Sequence, residues 1–514
     1  MAAYNLLKNT FELHPFLFGI FTTIFIFIFN IHIVKFPELI LPLTTIIITI
    51  IILTILIKYV LKNKKKTAMI ITIGAILFFS YGHFYEIIEN EVGTFSHSYL
   101  LIAFLILFVI SVVYFIRTKV KLDNLTKIVN AVGVTIIVIS MINLGIYFIE
   151  DIPKIETNEL ENENFQKNNF DNNLNSPDIY YIILDAYAGQ KSLENTFNFD
   201  NTEFYDFLIE NNFYVAKQGY GNYEETYKSL SSSLNMDYIN EIDSYNLQKR
   251  IDLGYEMIEN NKVMSNLKSK EYKIINFFSG WGPTRDMPLA DLNVCNEYRG
   301  ILDSEFFSMV INKSILDPFY VKLFENDRKE LLFCHIEKIK NIQKISDKPI
   351  FVFAHITIPH GPYIFGPNGE HLTPESIQLG DKGDDKEKYI GQLQYTNKLM
   401  KDVINAILDS EKYVKNSPII IIQGDHASGI VRFENMQEDG LQDIFNILIA
   451  IHAPQMEKNI FEEKLTPVNT FRHIFNTYFE DDYPILEQKQ YKTLPESPWK
   501  FVDVTDIVMK KIED

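Results

Sequence analysis

The chain has 514 residues and a formal net charge of −18 at pH 7, because 66 acidic side chains outnumber 48 basic ones. This length exceeds that of one ordinary domain. Acidic proteins bind the phosphates of nucleic acids poorly, so we expect no nucleic-acid partner. Charge is unevenly spread: up to Glu150 there are 11 basic and 7 acidic residues, a net +4, so the remainder of the chain carries −22.

The first 150 residues contain five apolar runs, each about as long as the hydrocarbon core of a membrane requires. Five such runs in succession leave no polar face toward water, which disfavours buried helices of a soluble core. The first run is not a cleavable signal peptide, since it is long, lacks a small-residue cleavage pattern and is followed by further runs. We therefore predict a transmembrane domain over residues 1–150 with five helices, at 16–34, 39–57, 67–85, 99–116 and 128–149.

The charges in the connections between these spans predict their orientation, because basic residues in short loops stay in the cytoplasm. The second and fourth connections are basic and the third is acidic. An odd number of spans that begins inside ends outside. We expect a multi-pass plasma-membrane protein with a cytoplasmic N-terminus and an extracytoplasmic outer domain. The basic residues are Lys58, Lys62, Lys64, Lys65, Lys66, Arg117, Lys119, Lys121 and Lys127, and the acidic ones are Glu86, Glu89 and Glu91.

Residues 151–176 are rich in Asn and Glu and poor in aliphatic side chains, which predicts a linker. The outer domain then extends over 177–514. Its two cysteines, Cys295 and Cys334, are too few for a disulfide-built scaffold, and their spacing is unlike that of a metal site. They can pair, but we expect ordinary buried thiols.

From Pro177 onward, short β-rich runs alternate with longer helical or loop stretches. This alternation predicts an α/β domain with a mainly parallel central sheet. The predicted strands are 179–184, 272–278, 350–354, 419–422 and 445–451.

Polar residues follow four of these strands, and ligands of open α/β sheets bind beyond the carboxyl ends of strands. The residues at these positions are Asp185, Ser279, His355, Asp425 and His426. A carboxylate and a neutral imidazole side by side suit zinc or manganese, and the preceding glycine lets both side chains face one ion. Asp185 occupies the same place on a distant strand. We predict that Asp185, Asp425 and His426 bind one cation, although a polar loop remains the alternative.

A second group of candidates lies in the loop AHITIPHGPY, where His355 and His360 stand near two prolines. Two histidines in a rigid loop after a strand are expected to contact an anionic oxygen of the substrate or a metal. Trp281 and Arg285, in SGWGPTRD, are further candidates for contacts with an acceptor or head group. A loop-packing role is the alternative for both.

The segment GYGNYEETYKSLSSSLNMDY offers the candidate nucleophile. A helix-compatible run begins at Thr226, so this hydroxyl is expected near a helix N-terminus, where amide groups and the helix dipole favour an anion. The alternative is a purely structural role for Thr226 as the N-cap of this helix. The rivals fall inside the predicted helix and are Ser229, Ser231, Ser232 and Ser233.

In this order, the segments ILDAYAG, NYEETYKSLSSSLNM, AHITIPHGPY and QGDHASG resemble the alkaline phosphatase and sulfatase superfamily. The likeness is greatest to its membrane-anchored branch, which includes lipoteichoic acid synthases and phosphoethanolamine transferases. The resemblance implies an alkaline-phosphatase-like outer domain. It also implies that Asp185, Thr226, Asp425 and His426 are metal ligands, that Thr226 is the nucleophile and that His360 contacts the phosphoryl group.

One departure from the superfamily is informative: the C/S-x-P/A-S-R motif of true sulfatases is absent from the sequence. A second ion, as in alkaline phosphatases, would need further ligands, and His355 and His371 are the only nearby spares. We therefore expect one divalent ion, zinc or manganese.

The resemblance implies a metal-dependent transfer of a phosphoryl-linked head group from a membrane phospholipid to a cell-envelope glycan or glycolipid through a covalent threonine intermediate. A membrane-bound phosphodiesterase or phosphatase would use the same residues with water as the acceptor. A third hypothesis is a sulfuric-ester hydrolase, and a fourth is a degenerate, non-enzymatic surface binding protein.

Overall fold

The structure is a computed structural model that describes residues 12–31, 34, 36–92, 96–150, 176–216, 219–240, 251–298, 305–372, 386–414, 416–434, 440–456, 465–494 and 497–510. The predicted linker, apart from Ser176, lies outside the described residues. Contacts divide the chain into two compact units, which we call the membrane unit and the outer unit. The membrane unit comprises Met1–Glu163 and Gly300–Leu323, and the outer unit comprises Asn164–Arg299 and Phe324–Asp514.

The helices of the described chain are numbered here in chain order. They are α1 His14–Phe29, α2 Phe36–Leu61, α3 Lys64–Val92, α4 His97–Arg117, α5 Asp123–Glu150, α6 Gln190–Phe197, α7 Thr202–Glu210, α8 Thr226–Asn235, α9 Ile251–Glu259, α10 Lys262–Ser269, α11 Gly282–Arg285, α12 Glu305–Asn312, α13 Asp317–Ile339, α14 Lys386–Leu408, α15 Gly429–Glu434, α16 Leu441–Phe445, α17 Pro467–Phe479 and α18 Thr505–Val508. The strands are β1 Ile179–Leu184, β2 Tyr214–Val215, β3 Lys273–Phe277, β4 Leu292–Val294, β5 Ile350–Ile356, β6 Ile419–Gly424, β7 Ile449–His452, β8 Tyr491–Leu494 and β9 Ser497–Asp503.

The membrane unit contains the apolar helices that the sequence predicts. Among the described residues, α2 to α5 are long and apolar enough to cross a membrane. The first helix has 16 residues and ends at Phe29, short of the predicted end at 34. Such a helix is about 24 Å long, whereas the hydrocarbon core is about 30 Å thick. The unit therefore has four to five apolar helices, consistent with a multi-pass membrane protein.

The outer unit has a seven-stranded sheet in the order β2, β7, β6, β1, β5, β3, β4. The five strands from β6 to β4 are parallel, and β7 and β2 form the other edge through antiparallel pairings. Every residue of β1, β5 and β6 is buried. Strands of a parallel sheet covered on both faces read as continuous apolar runs, which is why the sequence reveals them. The predicted α/β domain with a mainly parallel sheet is confirmed.

Three sequence-based expectations in the outer unit are wrong. His355, expected in a loop after a strand ending at 354, lies within β5, which extends to Ile356. The predicted strand 445–451 is strand only from Ile449, because Phe445 ends helix α16. Cys295 and Cys334 are not free thiols but form a disulfide, with their Cα atoms 6.0 Å apart. Cys295 directly follows β4 and Cys334 lies on α13, so the pairing arises from packing between residues 39 positions apart.

Candidate metal and nucleophile site

The candidate site forms where three neighbouring parallel strands end. Leu184 of β1 lies opposite Ile356 of β5 and Gly424 of β6. The residues that follow β1 and β6, Asp185 and Asp425, are therefore brought side by side. Gly424 is required here, because a Cβ at this position would lie 2.4 Å from the carbonyl oxygen of Tyr187.

The backbone after β1 fixes the orientation of Asp425. Ala186 has a φ of 61°, a left-handed conformation that a residue with a Cβ rarely adopts. In this conformation its N–H donates a hydrogen bond of 3.0 Å to Oδ1 of Asp425. The other carboxylate oxygen of Asp425, Oδ2, remains available to the site.

Asp185, His355 and Asp425 form a buried group whose potential ligand atoms all lie within 4.8 Å of one another. Three atoms of this group, Oδ1 of Asp185, Nε2 of His355 and Oδ2 of Asp425, are buried and have no hydrogen-bond partner among the described residues. Buried polar atoms are normally satisfied. Two carboxylates and an imidazole that converge with one unsatisfied atom each match the donor set of a divalent cation. The residues therefore fit the predicted ion, and His355 lies among its candidate ligands.

His426 completes the group. Its Nδ1 lies 2.6 Å from the carbonyl oxygen of Ala427, so Nδ1 carries the proton and Nε2 presents a lone pair. Nε2 is 3.5 Å from Oδ1 of Asp185 and 3.4 Å from Oδ2 of Asp425. The lone pair thus faces both carboxylates and can accept a hydrogen bond or bind a cation.

Thr226 is the first residue of helix α8, which confirms the predicted helix start. Its Oγ1 lies 3.0 Å from Nε2 of His426, and the residue is half-buried, so a substrate can reach it. The rival hydroxyl of Ser229 is buried and donates to the carbonyl oxygens of Tyr223 and Asp425 at 3.1 and 2.7 Å. The structure brings the hydroxyl of Thr226, and not that of Ser229, to His426 beside the candidate metal ligands.

His360 lies beside this group in the loop after β5. Its N–H donates to the carbonyl oxygen of Asp185 at 3.0 Å, and its ring is 6.3 Å from that of His426. Gln392 of α14 holds the loop by donating to the carbonyl oxygen of His360 at 2.9 Å. Burial raises the pKa of Asp185, but the interactions of its carboxylate with the imidazoles of His360, His355 and His426 lower this pKa by more, so it lies below its ordinary value.

Thr284 is a residue of this site that the sequence analysis does not identify. Its Oγ1 lies 2.9 Å from Nδ1 of His355 and 2.6 Å from Oγ of Ser279. With Nδ1 engaged in this way, Nε2 of His355 is 3.5 Å from Oδ2 of Asp185. A metal-binding histidine is commonly oriented by a partner on its other ring nitrogen. The signal in the sequence is weak, because Thr284 lies six residues after the end of the strand predicted at 272–278.

Three further residues that the sequence analysis names are Trp281, Arg285 and His371. The ring of Trp281 packs edge-on against His355, with centroids 5.4 Å apart. Arg285 ends α11, and its carbonyl oxygen accepts a hydrogen bond from Asn276 at 3.3 Å. His371 is exposed, and its Nδ1 contacts the carbonyl oxygen of Ile364 at 3.0 Å. The contacts of Trp281 and Arg285 with a substrate stay predictions.

Comparison with models of known protein families finds no match, and neither does comparison with curated protein sequences. Among solved structures, the chain is similar to the C-terminal periplasmic domain of EptC from Escherichia coli in complex with Zn, with a TM-score of 0.43, 12% identity and coverage of 65% of this chain and 93% of that one. It is also similar to the lipoteichoic acid synthase LtaP from Listeria monocytogenes, with a TM-score of 0.35, 15% identity and coverage of 59% and 71%. The integral membrane lipooligosaccharide phosphoethanolamine transferase A from Neisseria meningitidis gives a TM-score of 0.37, 10% identity and coverage of 90% and 95%.

Proposed function

We propose that this chain is a membrane-anchored transferase that moves a phosphoryl-linked head group from a membrane phospholipid to a cell-envelope glycan or glycolipid. The observation that carries the proposal is the hydroxyl of Thr226, 3.0 Å from Nε2 of His426 and next to a buried group with three unsatisfied ligand atoms. A nucleophile beside a cation site is the arrangement that phosphoryl transfer through a covalent intermediate needs.

The proposed ligands of a single divalent ion, zinc or manganese, are Asp185, Asp425, His426 and Thr226, with His355 as an additional buried donor. When bound, such an ion supplies positive charge that stabilises an ionised hydroxyl and the oxygens of a phosphoryl group. The two carboxylates offset the charge of the ion, which makes its burial less costly.

The first chemical step is attack by Oγ1 of Thr226 on the phosphorus of the donor. A bond forms between this oxygen and phosphorus, and the bond from phosphorus to the diacylglycerol oxygen breaks. The hydroxyl proton passes from Oγ1 and ends on the departing diacylglycerol. In the second step an acceptor hydroxyl attacks the same phosphorus, and Thr226 regains its proton. Both steps conserve charge and need no external energy source.

Two features of the chain favour charge development on the phosphoryl oxygens. Thr226 opens α8, a helix of ten residues whose first amide groups and dipole attract negative charge. His360 is half-buried beside Asp185, and its Nδ1 lies 2.7 Å from the carbonyl oxygen of Gly361, which fixes the ring. Because Nδ1 donates to this carbonyl oxygen, the doubly protonated ring offers its Nε2–H to a phosphoryl oxygen. A donor positioned before the reaction stabilises a developing oxyanion without reorganisation.

The apolar helices support the choice of a lipid donor, because they keep the chain in the bilayer that contains the lipid. The disulfide between Cys295 and Cys334 supports an extracytoplasmic outer unit, since disulfides persist mainly in oxidising compartments. ATP is not available as a donor on that side of the membrane, whereas phospholipid phosphodiesters are abundant.

Replacing Thr226 with Ala tests the proposal in the full-length protein. We expect release of diacylglycerol from labelled phospholipid to fall by about 10⁴-fold or more, as when other enzymes with covalent intermediates lose their nucleophile. Thr202→Ala is the matched control, because Thr202 also begins a helix but is exposed. Undiminished release by Thr226→Ala would remove this residue from the role, and an equal fall in both variants would show that the loss is not specific to Thr226.

A further inference from the structure

We propose that residues 305–315, which we call the docking segment, attach the outer part of the chain to the transmembrane bundle without a covalent bond. This attachment would act in addition to the predicted linker at 151–176, and it goes beyond the proposed function. The docking segment comprises helix α12 and the three residues that follow it.

The path of the chain motivates this proposal. Asn164–Arg299 and the chain from Phe324 onward belong to the outer unit, whereas Gly300–Leu323 belong to the membrane unit. The docking segment therefore belongs to the membrane unit, although the sequence before it and after it belongs to the outer unit. A chain that folds in this way is held at a second point, far in sequence from the linker.

Apolar side chains of the docking segment are buried in the bundle. Phe306 is fully buried, and its ring meets that of Phe27 edge-on, with centroids 5.8 Å apart. Val310, one helical turn later, is 6% exposed and packs in the same cluster with Phe79. The spacing of four residues places both side chains on one face of α12. Burial of these groups favours the attached state.

The backbone of the docking segment also engages α3. The N–H of Ile315 donates to the carbonyl oxygen of Phe78 at 2.9 Å, and the N–H of Gly82 donates to the carbonyl oxygen of Lys313 at 3.3 Å. Phe78 and Gly82 are four residues apart, which is the spacing of the carbonyl and the N–H that pair within an α-helix. The docking segment therefore forms hydrogen bonds with both groups of one such pair. The ammonium of Lys313 pairs with the carboxylate of Glu86 one turn further along.

Gly82 permits this close approach. A Cβ on Gly82 would lie 2.3 Å from the carbonyl oxygen of Asn312 and 2.7 Å from Cα of Lys313. Both atoms belong to backbone, which cannot move aside as a side chain can. A larger residue at position 82 would therefore displace the docking segment. This substitution leaves the amino-acid sequence of α12 as it is.

The test uses the full-length protein in membranes, with a protease site inserted between residues 151 and 175. After cleavage the membranes are sedimented, and the outer fragment is quantified in the pellet and in the supernatant. We expect the outer fragment of the parent protein to remain in the pellet. Gly82→Val should raise the released fraction by about tenfold or more, the factor that a lost contact of about 1.4 kcal/mol produces. Gly145→Val is the matched control, because a Cβ there meets no atom of the described residues within 4 Å.

Release of the parent fragment, or equal retention in Gly82→Val and parent, would overturn the proposal. A second measurement guards against general disruption of the bundle by the Gly82→Val change. Lys313→Cys combined with Glu86→Cys places one thiol on each fragment at the ends of this ion pair, and a short bifunctional thiol cross-linker should join the two fragments on a gel. Fragments that stay separate after treatment with the cross-linker would contradict the docking contact.

Discussion

The candidate metal site, formed by Asp185, His355, Asp425 and His426, is assembled from residues far apart in the chain. Asp185 and Asp425 are predictable from sequence, because each follows a run of apolar residues that forms a buried strand. Thr226 is predictable because a helix begins at it. The contact of Thr284 with His355 is not predictable, since it joins residues 71 positions apart through a short helix without a strong pattern. Local signals therefore reveal the candidate ligands but not the residue that orients one of them.

Removing ligands tests the metal assignment. In Asp425→Ala with His426→Ala, the site loses an oxygen and a nitrogen donor, and we expect the metal content of the purified protein to fall to background. Elemental analysis measures this content. His371→Ala is the control, because His371 is exposed and contacts the carbonyl oxygen of Ile364. Equal metal in the double variant and the parent would defeat the assignment.

Replacing Thr284 tests whether His355 is positioned from its far side. Val has a similar shape but offers no hydroxyl to Nδ1 of His355. We expect Thr284→Val to bind zinc about 10–100-fold more weakly, the usual effect of losing such a partner. Thr284→Ser keeps the hydroxyl and should restore binding. If the Ser and Val variants bind zinc alike in a titration, the hydroxyl has no positioning role.

At the level of elements, the strands that are buried on both faces are predictable from sequence, and the very short ones are not. Strand β2 has only two residues and β4 only three, too few to give a pattern. The docking segment is likewise not predictable. Its apolar residues resemble one face of an ordinary amphipathic helix, and their partners, such as Phe27, belong to a distant part of the chain. A sequence pattern shows that a face is buried, but not against what.

The disulfide between Cys295 and Cys334 is an element-scale constraint whose removal should destabilise the outer unit. It closes a loop with a sequence separation of 39 residues. The chain-entropy model gives about 4 kcal/mol for a loop of this length. We expect Cys295→Ser with Cys334→Ser to lower the free energy of unfolding by roughly this amount.

Fluorescence during urea unfolding is a suitable readout, because both tryptophans of the chain, Trp281 and Trp499, belong to the outer unit. The parent protein with reductant should match the double variant. An unchanged unfolding midpoint in both would show that the bond contributes no stability.

At the level of the whole molecule, the change in composition near Glu150 indicates a membrane part and an outer part. The return of Gly300–Leu323 to the membrane unit is not visible in composition. Lys313 of this segment forms an ion pair with Glu86 of α3. The charge pattern of the connections predicts that Glu86 is extracytoplasmic. The chain after residue 150 is predicted on the same side, so the contact agrees with the predicted orientation.

Labelling of introduced cysteines tests this orientation directly. A thiol reagent that does not cross membranes should modify Glu91→Cys in intact cells and leave Lys121→Cys unmodified until the membrane is opened. Both positions are exposed, so access to the reagent depends on the side of the membrane. The opposite pattern would place the outer unit in the cytoplasm and exclude the proposed donor chemistry.

The most direct measurement of the proposed chemistry is mass spectrometry of the Thr226 peptide after incubation of the full-length protein with membrane lipids. We expect an adduct on Thr226 whose mass equals that of the phosphoryl-linked head group of the donor, and which disappears when an acceptor is added. We expect no adduct in the Asp425→Ala, His426→Ala variant. An unmodified Thr226 during active turnover, or an adduct on another residue, would contradict the proposed intermediate.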